Sequence, residues 1–269
     1  MKITSISFAL FASIALFTGV SNVKAQEVPQ ATINHSNAVQ LLNQATKKAD
    51  GGDLKGAIAI FNQTIKLNPR YSLAYYNRAI TYEELGDRKT ALNDYNKAIQ
   101  INQNWGRGTI TSAYINRGKL QYEMGNSQGA IADFNQALKL KAEESDIFYN
   151  RGLAQYKLGN KKAAFSDYSK AIQINKWQDK GGYAAFLNRG VVRLDMGDSK
   201  GALFDYTKAI SLKPDYALAY KNRGLLYLDA GNQPLAVKDL QKASELYKKQ
   251  KSPAKQQEIA QILREVKKR

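Results

Sequence analysis

The sequence predicts an all-α protein in which six helical hairpins stack into a solenoid and one further helix covers the C-terminal end. Three observations support this fold class. A block of 34 residues recurs six times, every block has a glycine followed by Asp or Asn near its middle, and apolar residues follow helical spacing on both sides of that glycine. The blocks begin at Ala38, Ser72, Thr111, Ser145, Tyr183 and Ala217.

The N-terminal segment, residues 1–25, has the pattern of a secretory signal peptide. Lys2 precedes an apolar run, and Val23 and Ala25 stand at the −3 and −1 positions of a cleavage point. Ser and Thr interrupt the apolar run, which disfavours the alternative of an uncleaved membrane anchor. We therefore expect an exported protein, located in a periplasm, a lumen or the extracellular space. Residues 26–37 lack helical periodicity and are predicted to form a flexible lead.

The six repeat units together span residues 38–250. They cover residues 38–71, 72–105, 111–144, 145–178, 183–216 and 217–250, with short inserts after the second and fourth units. Positions 8 and 20 of each unit hold small residues, which let two helices approach closely. Position 15 is glycine and position 16 is Asp or Asn in all six, which suits a left-handed helix end followed by an N-cap. Each unit is therefore predicted to be helix, tight turn, helix.

The C-terminal residues 251–269 are predicted to form a basic capping helix. Ser252 and Pro253 supply an N-cap and a first helical residue. The apolar face has helical spacing and consists of Ile259, Ile262, Leu263 and Val266. This face would cover the open end of the sixth unit.

The repeat resembles the tetratricopeptide repeat family, whose 34-residue hairpins have small residues at positions 8, 20 and 27 and an aromatic residue near position 24. The resemblance covers nearly all of residues 38–250 and implies a right-handed superhelical solenoid. Thr64 at position 27 of the first unit and Leu240 at position 24 of the sixth depart from the pattern, as half-exposed terminal repeats do. The family also implies a protein–protein interaction scaffold rather than an enzyme.

The composition excludes several kinds of site. The chain has no cysteine and a single histidine, so it offers no thiolate nucleophile and no multi-histidine metal cluster. We predict no catalytic residue, no cofactor and no metal. The formal net charge of +17 favours anionic binding partners. The alternative function is binding of an anionic surface, either a membrane or a cell-wall polymer, through this charge and the basic tail. Nucleic acid is disfavoured as a ligand of an exported protein.

The strongest candidate for a binding function is an asparagine at position 6 of every unit. This asparagine row consists of Asn43, Asn77, Asn116, Asn150, Asn188 and Asn222. An amide both donates and accepts, so it can pair with a peptide backbone whatever the peptide's side chains are. In the family that the chain resembles, the first helices line the concave face, and a recurrent asparagine there holds an extended peptide. The alternative is that each amide bonds to its own scaffold.

Tyrosines at positions 5 and 12 of the first helices are predicted to flank the asparagine row. The candidate peptide-binding tyrosines are Tyr76, Tyr122, Tyr149 and Tyr156. The alternative for any one of them is packing between successive units. Together these residues predict a concave groove that binds an extended or helical polypeptide, a role that suits an assembly factor.

Two further patterns are predicted to be structural. Arginine at position 7 and aspartate at position 23 occur together in units two to six, whereas the first unit has Gln44 and Ile60. This joint presence predicts a bridge between the two helices of one unit. The inserts contain Trp105 and Trp177, whose rings we expect to fill the gap that a longer connection opens.

Overall fold

The computed structural model describes residues 30–105, 109–140, 144–177 and 182–266. The predicted signal peptide, residues 1–25, lies outside them. The described ranges contain thirteen helices and no strand. The helices are α1 (Gln30–Asp50), α2 (Leu54–Leu67), α3 (Ser72–Glu84), α4 (Arg88–Ile101), α5 (Ile110–Glu123), α6 (Ser127–Lys139), α7 (Ser145–Lys157), α8 (Lys161–Ile174), α9 (Tyr183–Asp195), α10 (Ser199–Leu212), α11 (Ala217–Asp229), α12 (Gln233–Lys249) and α13 (Pro253–Val266). None of these helices is long and apolar enough to cross a membrane.

The first twelve helices form six hairpins. Within each hairpin an odd-numbered first helix packs on the even-numbered second helix that follows it, and each second helix also packs on the first helix of the next hairpin. This nearest-neighbour packing is that of a solenoid, in which every unit buries its apolar face against the units beside it. The predicted all-α solenoid with a C-terminal capping helix is confirmed.

The turn inside each hairpin has the predicted geometry. Gly86 ends the first helix of the second unit with φ of +88°, and the equivalent glycines have φ between +74° and +90°. Residues with a Cβ rarely adopt this left-handed conformation. The next residue caps the second helix, since Asp87 Oδ1 accepts a hydrogen bond from the Thr90 backbone N–H at 3.1 Å. The same side-chain cap occurs at Asp53, Asn126, Asp198 and Asn232.

Small residues bring the two helices of each hairpin into close contact. A Cβ added to Gly152 would lie only 2.7 Å from the ring of Tyr168, and one added to Gly190 would lie 2.7 Å from the ring of Tyr206. The alanines at position 20 are fully buried in every unit; they are Ala57, Ala91, Ala130, Ala164, Ala202 and Ala236. Aromatic rings of the second helices therefore pack directly on the backbone of the first helices.

The first helix begins earlier than the sequence predicted. α1 starts at Gln30, so residues 30–37 are helical, although the whole of residues 26–37 was expected to be a flexible lead. Neither Pro nor Gly occurs between Gln30 and Asp50, so nothing interrupts the backbone hydrogen bonds of the helix. The expectation rested on missing hydrophobic periodicity, which the free end of a helix does not require.

The capping helix α13 packs against α12. Ile259 is fully buried there, and the Gln233 side-chain amide donates to the Val266 carbonyl at 2.8 Å. Lys221 on α11 also forms an ion pair of 2.5 Å with Glu258 on α13. These contacts attach α13 to both helices of the sixth hairpin.

The two inserts begin in the same way. Asn102 and Asn175 end α4 and α8 in the left-handed conformation, with φ of +47° and +52°. The indole of Trp105 donates to Asn102 Oδ1 at 2.9 Å, and that of Trp177 donates to Asn175 Oδ1 at 3.1 Å. Both tryptophans are half-buried, which agrees with a gap-filling role.

Candidate functional site

The six asparagines of the row lie at the same place on successive first helices. Because the hairpins stack side by side, equivalent positions of the first helices share one face of the solenoid. Asn43 is exposed on this face and the other five asparagines are half-buried. We use the term groove for the surface formed by positions 5, 6, 9, 12 and 13 of the first helices.

Four amides of the row donate hydrogen bonds within the chain. The bonds run from Asn77 Nδ2 to Thr46 Oγ1 at 3.3 Å, from Asn116 Nδ2 to the Tyr76 hydroxyl at 2.9 Å, from Asn150 Nδ2 to the Asp146 carbonyl at 2.7 Å, and from Asn188 Nδ2 to the Tyr149 hydroxyl at 3.1 Å. Three of them link neighbouring first helices, which is the scaffold role that the sequence left open. An amide also has a second N–H and an oxygen acceptor, so peptide binding by the row stays a prediction.

Tyr76 belongs to an aromatic cluster at the second hairpin. Its ring centroid lies 5.9 Å from that of Tyr95 and 6.1 Å from that of Trp105, in tilted and edge-to-face arrangements. Such offset pairs are more stable than face-to-face stacks. Tyr76 is therefore half-buried by packing, and its hydroxyl already accepts the hydrogen bond from Asn116.

Tyr149 forms the equivalent cluster at the fourth hairpin. Its ring lies 5.9 Å from Tyr168 and 6.2 Å from Trp177, and its hydroxyl accepts from Asn188. Burial raises the pKa of Tyr149 to about 12. The hydroxyl is thus protonated at neutral pH. The same cluster therefore occurs twice in the chain, at the second and fourth hairpins.

The other two predicted tyrosines have different surroundings. Tyr156 donates its hydroxyl to Asp195 at 2.8 Å, which joins α7 to α9. The Tyr122 ring faces the groove, and the Lys157 ammonium lies 5.0 Å from its centroid. A cation over a ring face is attracted by the ring quadrupole.

Two of the pockets that open in the groove each contain one asparagine of the row. The first pocket, of about 350 Å³, lies between α1 and α3 and is lined by Thr46, Ala49, Asp50, Gly52, Phe61, Asn77, Ile80, Thr81 and Glu84. The second pocket, of about 240 Å³, lies between α5 and α7 and is lined by Lys119, Tyr122, Glu123, Phe134, Asn150 and Leu153. Each combines a buried phenylalanine ring, an aliphatic side chain and one amide with polar residues at its edge, which suits insertion of an apolar side chain beside a peptide group.

The structure adds residues that the sequence analysis did not single out as site residues. Phe61 and Phe134 contribute to the two pockets from the second helices, and Asp50 and Glu84 line the first pocket. The sequence held one usable pattern, because position 24 alternates between Phe and Tyr over the first four units. Whether this alternation marks pockets depends on which first helices pack beside each ring, and the sequence does not give that packing.

The predicted arginine–aspartate bridges are present in all five units that have both residues. Arg151 is typical, with its Nε and Nη2 atoms 2.9 Å and 2.5 Å from the two carboxylate oxygens of Asp167. The other pairs are Arg78–Asp94, Arg117–Asp133, Arg189–Asp205 and Arg223–Asp239. Bidentate pairing of this kind fixes the two helices of one hairpin relative to each other.

Each of these arginines also makes two contacts that sequence reasoning missed. Arg151 donates through Nη1 to Asn135 in the preceding hairpin at 2.6 Å, and its guanidinium lies 5.4 Å from the ring centroid of Phe148. Equivalent partners recur at positions 25 and 4 of the other units. The arginine thus links a hairpin to its neighbour. This structural role explains why arginine recurs at position 7, and no ligand is needed to explain it.

Family models match the same units that the repeat defines. A model described as TPR repeat matches residues 118–159 and 190–231, and a model described as tetratricopeptide repeat matches residues 72–104 and 145–177. Together the matches cover half of the chain.

Individual relatives match over shorter segments. Tetratricopeptide repeat protein 36 from Mus musculus is 39% identical over 79 residues, which is 29% of this chain and 41% of that protein. The Danio rerio protein of the same name is 42% identical over 64 residues, 24% of this chain and 34% of that protein. The chain therefore matches less than half the length of each of these relatives.

Solved structures share the fold over larger parts of the chain. YrrB, described as a TPR protein with an unusual peptide-binding site, is 25% identical with a TM-score of 0.56, and the match covers 69% of this chain and 91% of that one. MamA is 26% identical with a TM-score of 0.56 over 64% of this chain and 95% of that one. The Pseudomonas aeruginosa pilF structure has a TM-score of 0.65 at 16% identity, covering 86% of this chain and 98% of that one, and so supports the fold alone.

Repeats of this type indicate a scaffold for protein–protein interaction, and proteins that contain them bind protein or peptide partners. The repeat period, the hairpin geometry, the family models and the structural neighbours all agree. The chain belongs to the tetratricopeptide repeat family.

Proposed function

We propose that this protein is an exported, non-enzymatic scaffold that binds a polypeptide segment along its groove. The observation that carries the proposal is the pair of groove pockets, each lined by an amide of the asparagine row beside apolar side chains. A client that inserts one apolar side chain in a pocket gains about 1.5–3 kcal/mol from burial of that side chain. The adjacent amide oxygen can accept a backbone N–H of the same segment.

The similarity to YrrB supports a peptide ligand. That protein is described as having a peptide-binding site, and the match covers most of both chains. Export rests on the N-terminal pattern of residues 1–25, where a basic residue, an apolar run and small residues precede a cleavage point. Assembly of other exported proteins is a role that such a scaffold would suit.

The alternative is binding of an anionic surface through the basic charge and the C-terminal tail. Part of that charge is already used within the chain, because Lys249 pairs with Glu245 at 2.9 Å and the Lys255 ammonium lies 5.6 Å from the Tyr247 ring centroid. Salt separates the two functions. Binding to a polyanion falls steeply with ionic strength, whereas burial of apolar side chains in a groove does not.

The test is photocrosslinking in the native host from a photoreactive phenylalanine analogue at position 122. Tyr122 lines the second pocket. A matched control places the analogue at position 204, because Phe204 is aromatic, lies on the second helix α10 and is 53% exposed. We expect a polypeptide to be captured from position 122 and not from position 204. Equal capture from both positions would contradict the proposal.

The role of the asparagine row is tested with two double variants. Asn77→Ala with Asn150→Ala removes the amides that line the pockets, and Asn116→Ala with Asn188→Ala removes the amides that bond to tyrosines. We expect the first double variant to lose capture and the second to keep it at reduced stability. If the first double variant still captures the polypeptide, the asparagine row does not contribute to binding.

A further inference from the structure

We propose that the groove binds an extended polypeptide with two large apolar side chains about six residues apart. A Lys or Arg of this polypeptide lies beside the side chain that enters the first pocket. This inference rests on the proposed function and specifies its ligand. It follows from the alternation of open and filled junctions along the first helices and from the charges at the first pocket.

The two pockets occupy equivalent junctions. The first pocket lies between the first helices of units one and two, and the second lies between those of units three and four. At both junctions the second helix supplies a buried phenylalanine, Phe61 or Phe134. The preceding first helix has an aliphatic residue at position 5, Leu42 or Ile115, where the two other junctions have a tyrosine. A pocket therefore remains beside the next asparagine, Asn77 or Asn150, although Asn77 also donates to Thr46 across the first junction.

Tyrosine takes the place of phenylalanine at the next junction, between units two and three. There Tyr95 donates its hydroxyl to Glu83, and Asn116 donates to the Tyr76 hydroxyl. The bond between Asn116 and Tyr76 crosses the space between α3 and α5, and the Tyr95–Glu83 bond joins α4 to α3 beside it. An incoming side chain would have to break these bonds to enter this junction.

The junction between units four and five repeats the asparagine–tyrosine bond, although the Tyr168 hydroxyl has no hydrogen-bond partner among the described residues. Tyr168 replaces phenylalanine, Asn188 donates to Tyr149, and Tyr156 donates to Asp195 across α7 and α9. Over the first five units the groove therefore presents open, filled, open and filled junctions in order. Two pockets at equivalent repeat positions two repeats apart favour a ligand with two anchors, because the second anchor then binds at high effective concentration.

The separation of the pockets sets the spacing of the anchors. With successive first helices taken to lie about 10 Å apart, the spacing of packed helices, two repeats correspond to about 20 Å. An extended strand advances about 3.3 Å per residue, which places the anchors about six residues apart and on the same side of the strand. A helix advances 1.5 Å per residue and would need about 13 residues for the same distance.

The charges around the pockets select a basic residue at the first one. Asp50 and Glu84 line the first pocket, and both are exposed. At the second pocket Lys119 and Glu123 have opposite charges, and Glu123 pairs with Arg88 at 3.3 Å. A cation on the ligand is therefore attracted to the first pocket and gains little at the second. This difference also fixes the direction in which the ligand lies in the groove.

The test measures fluorescence anisotropy of the mature protein with labelled synthetic peptides. Each peptide has two phenylalanines in a Ser/Gly background, about three, six, nine or 13 residues apart, and a lysine before the first. We expect the tightest binding at a separation of about six residues. Replacing either phenylalanine by serine should weaken that binding about tenfold or more.

Pocket-filling variants identify which junctions bind the anchors. Ile80→Trp fills the first pocket and Leu153→Trp fills the second, while Phe204→Trp on the second helix α10, where the side chain is 53% exposed, is the control outside the groove. We expect each filling variant to bind the two-anchor peptide no better than wild type binds a one-anchor peptide. The control variant should bind as wild type does, and circular dichroism should show equal helix content in all three.

The charge prediction uses a second pair of variants. Asp50→Asn combined with Glu84→Gln should remove the preference for the lysine-bearing peptide over its serine counterpart, whereas Glu123→Gln should keep it. Binding that ignores spacing, or that persists with both pockets filled, would overturn the inference. Failure of every peptide in the series would overturn it too, because the series contains all the features named. Capture at position 122 decides the proposed function independently of these results.

Discussion

The bridge between Arg151 and Asp167 allows a direct test of how the hairpins are held together. The perturbation is Asp167→Ile, alone and combined with Arg151→Gln. The first repeat unit already has this pair of residues, with Ile60 and Gln44 at the equivalent positions, and it forms the same hairpin. The double variant should therefore be compatible with the fold, whereas the single variant leaves an arginine without its carboxylate.

The size of the effect follows from burial. The Asp167 side chain is 7% exposed and that of Arg151 is 22% exposed. Removing one partner of a buried ion pair costs about 3–5 kcal/mol. Arg151 can still reach water and keeps its hydrogen bond to Asn135, so we expect the free energy of unfolding to fall by about 2–3 kcal/mol. The double variant leaves no unpaired charge and should lose about 1 kcal/mol or less.

The assay is urea unfolding followed by far-ultraviolet circular dichroism and by tryptophan fluorescence. Two probes are needed because the units of a repeat protein can unfold separately. Trp177 reports on the fourth hairpin, since its ring packs on Tyr149 there. A single variant within about 0.5 kcal/mol of wild type would refute the reasoning. A double variant no more stable than the single variant would refute it as well.

Three other predictions concern stability. The Tyr168 hydroxyl is buried without a hydrogen-bond partner among the described residues, so Tyr168→Phe should leave the urea midpoint unchanged or raise it. Tyr95→Phe loses the bond to Glu83 and should lower the free energy of unfolding by about 1 kcal/mol. A larger loss for Tyr168→Phe than for Tyr95→Phe would contradict this prediction. Gly159 has φ of +80°, so Gly159→Ala should lower the thermal midpoint by the equivalent of about 1–2 kcal/mol, and no change would argue against the left-handed turn. Burial raises the pKa of Tyr149 to about 12, whereas a tyrosine in the unfolded chain ionises near pH 10. The contribution of Tyr149 to stability is therefore present below about pH 10 and lost between about pH 10 and 12. Over that pH range the urea midpoint should fall less steeply for Tyr149→Phe than for wild type.

The hairpin fold could be predicted from sequence because its determinants are local and repeated. The glycine of each turn, the capping residue after it and the small residues opposite aromatic rings recur at fixed positions, and the structure uses each as expected. The arginine–aspartate bridge was also predictable, since its two members are absent together from the first unit.

The hydrogen bonding of the groove could not be predicted in the same way. Asn116 and Asn150 occupy the same repeat position, yet one donates to a tyrosine on the neighbouring first helix and the other to a carbonyl of its own helix. The difference depends on whether the adjacent unit places a tyrosine at position 5 within reach. Tyr76 satisfies this condition for Asn116, whereas Ile115 stands at the corresponding position before Asn150. Such contacts require the packing of three helices.

The measurement that tests the central claim most directly is the salt dependence of capture from position 122. Tyr122 lies in the second pocket, where the charges are mixed and the walls are largely apolar. We predict that the yield of the captured polypeptide changes by less than about threefold between low and high salt, because apolar burial is not screened. A loss of about a hundredfold or more, of the kind seen when many phosphate-like contacts are released, would contradict the account and assign the binding to the basic charge of the protein.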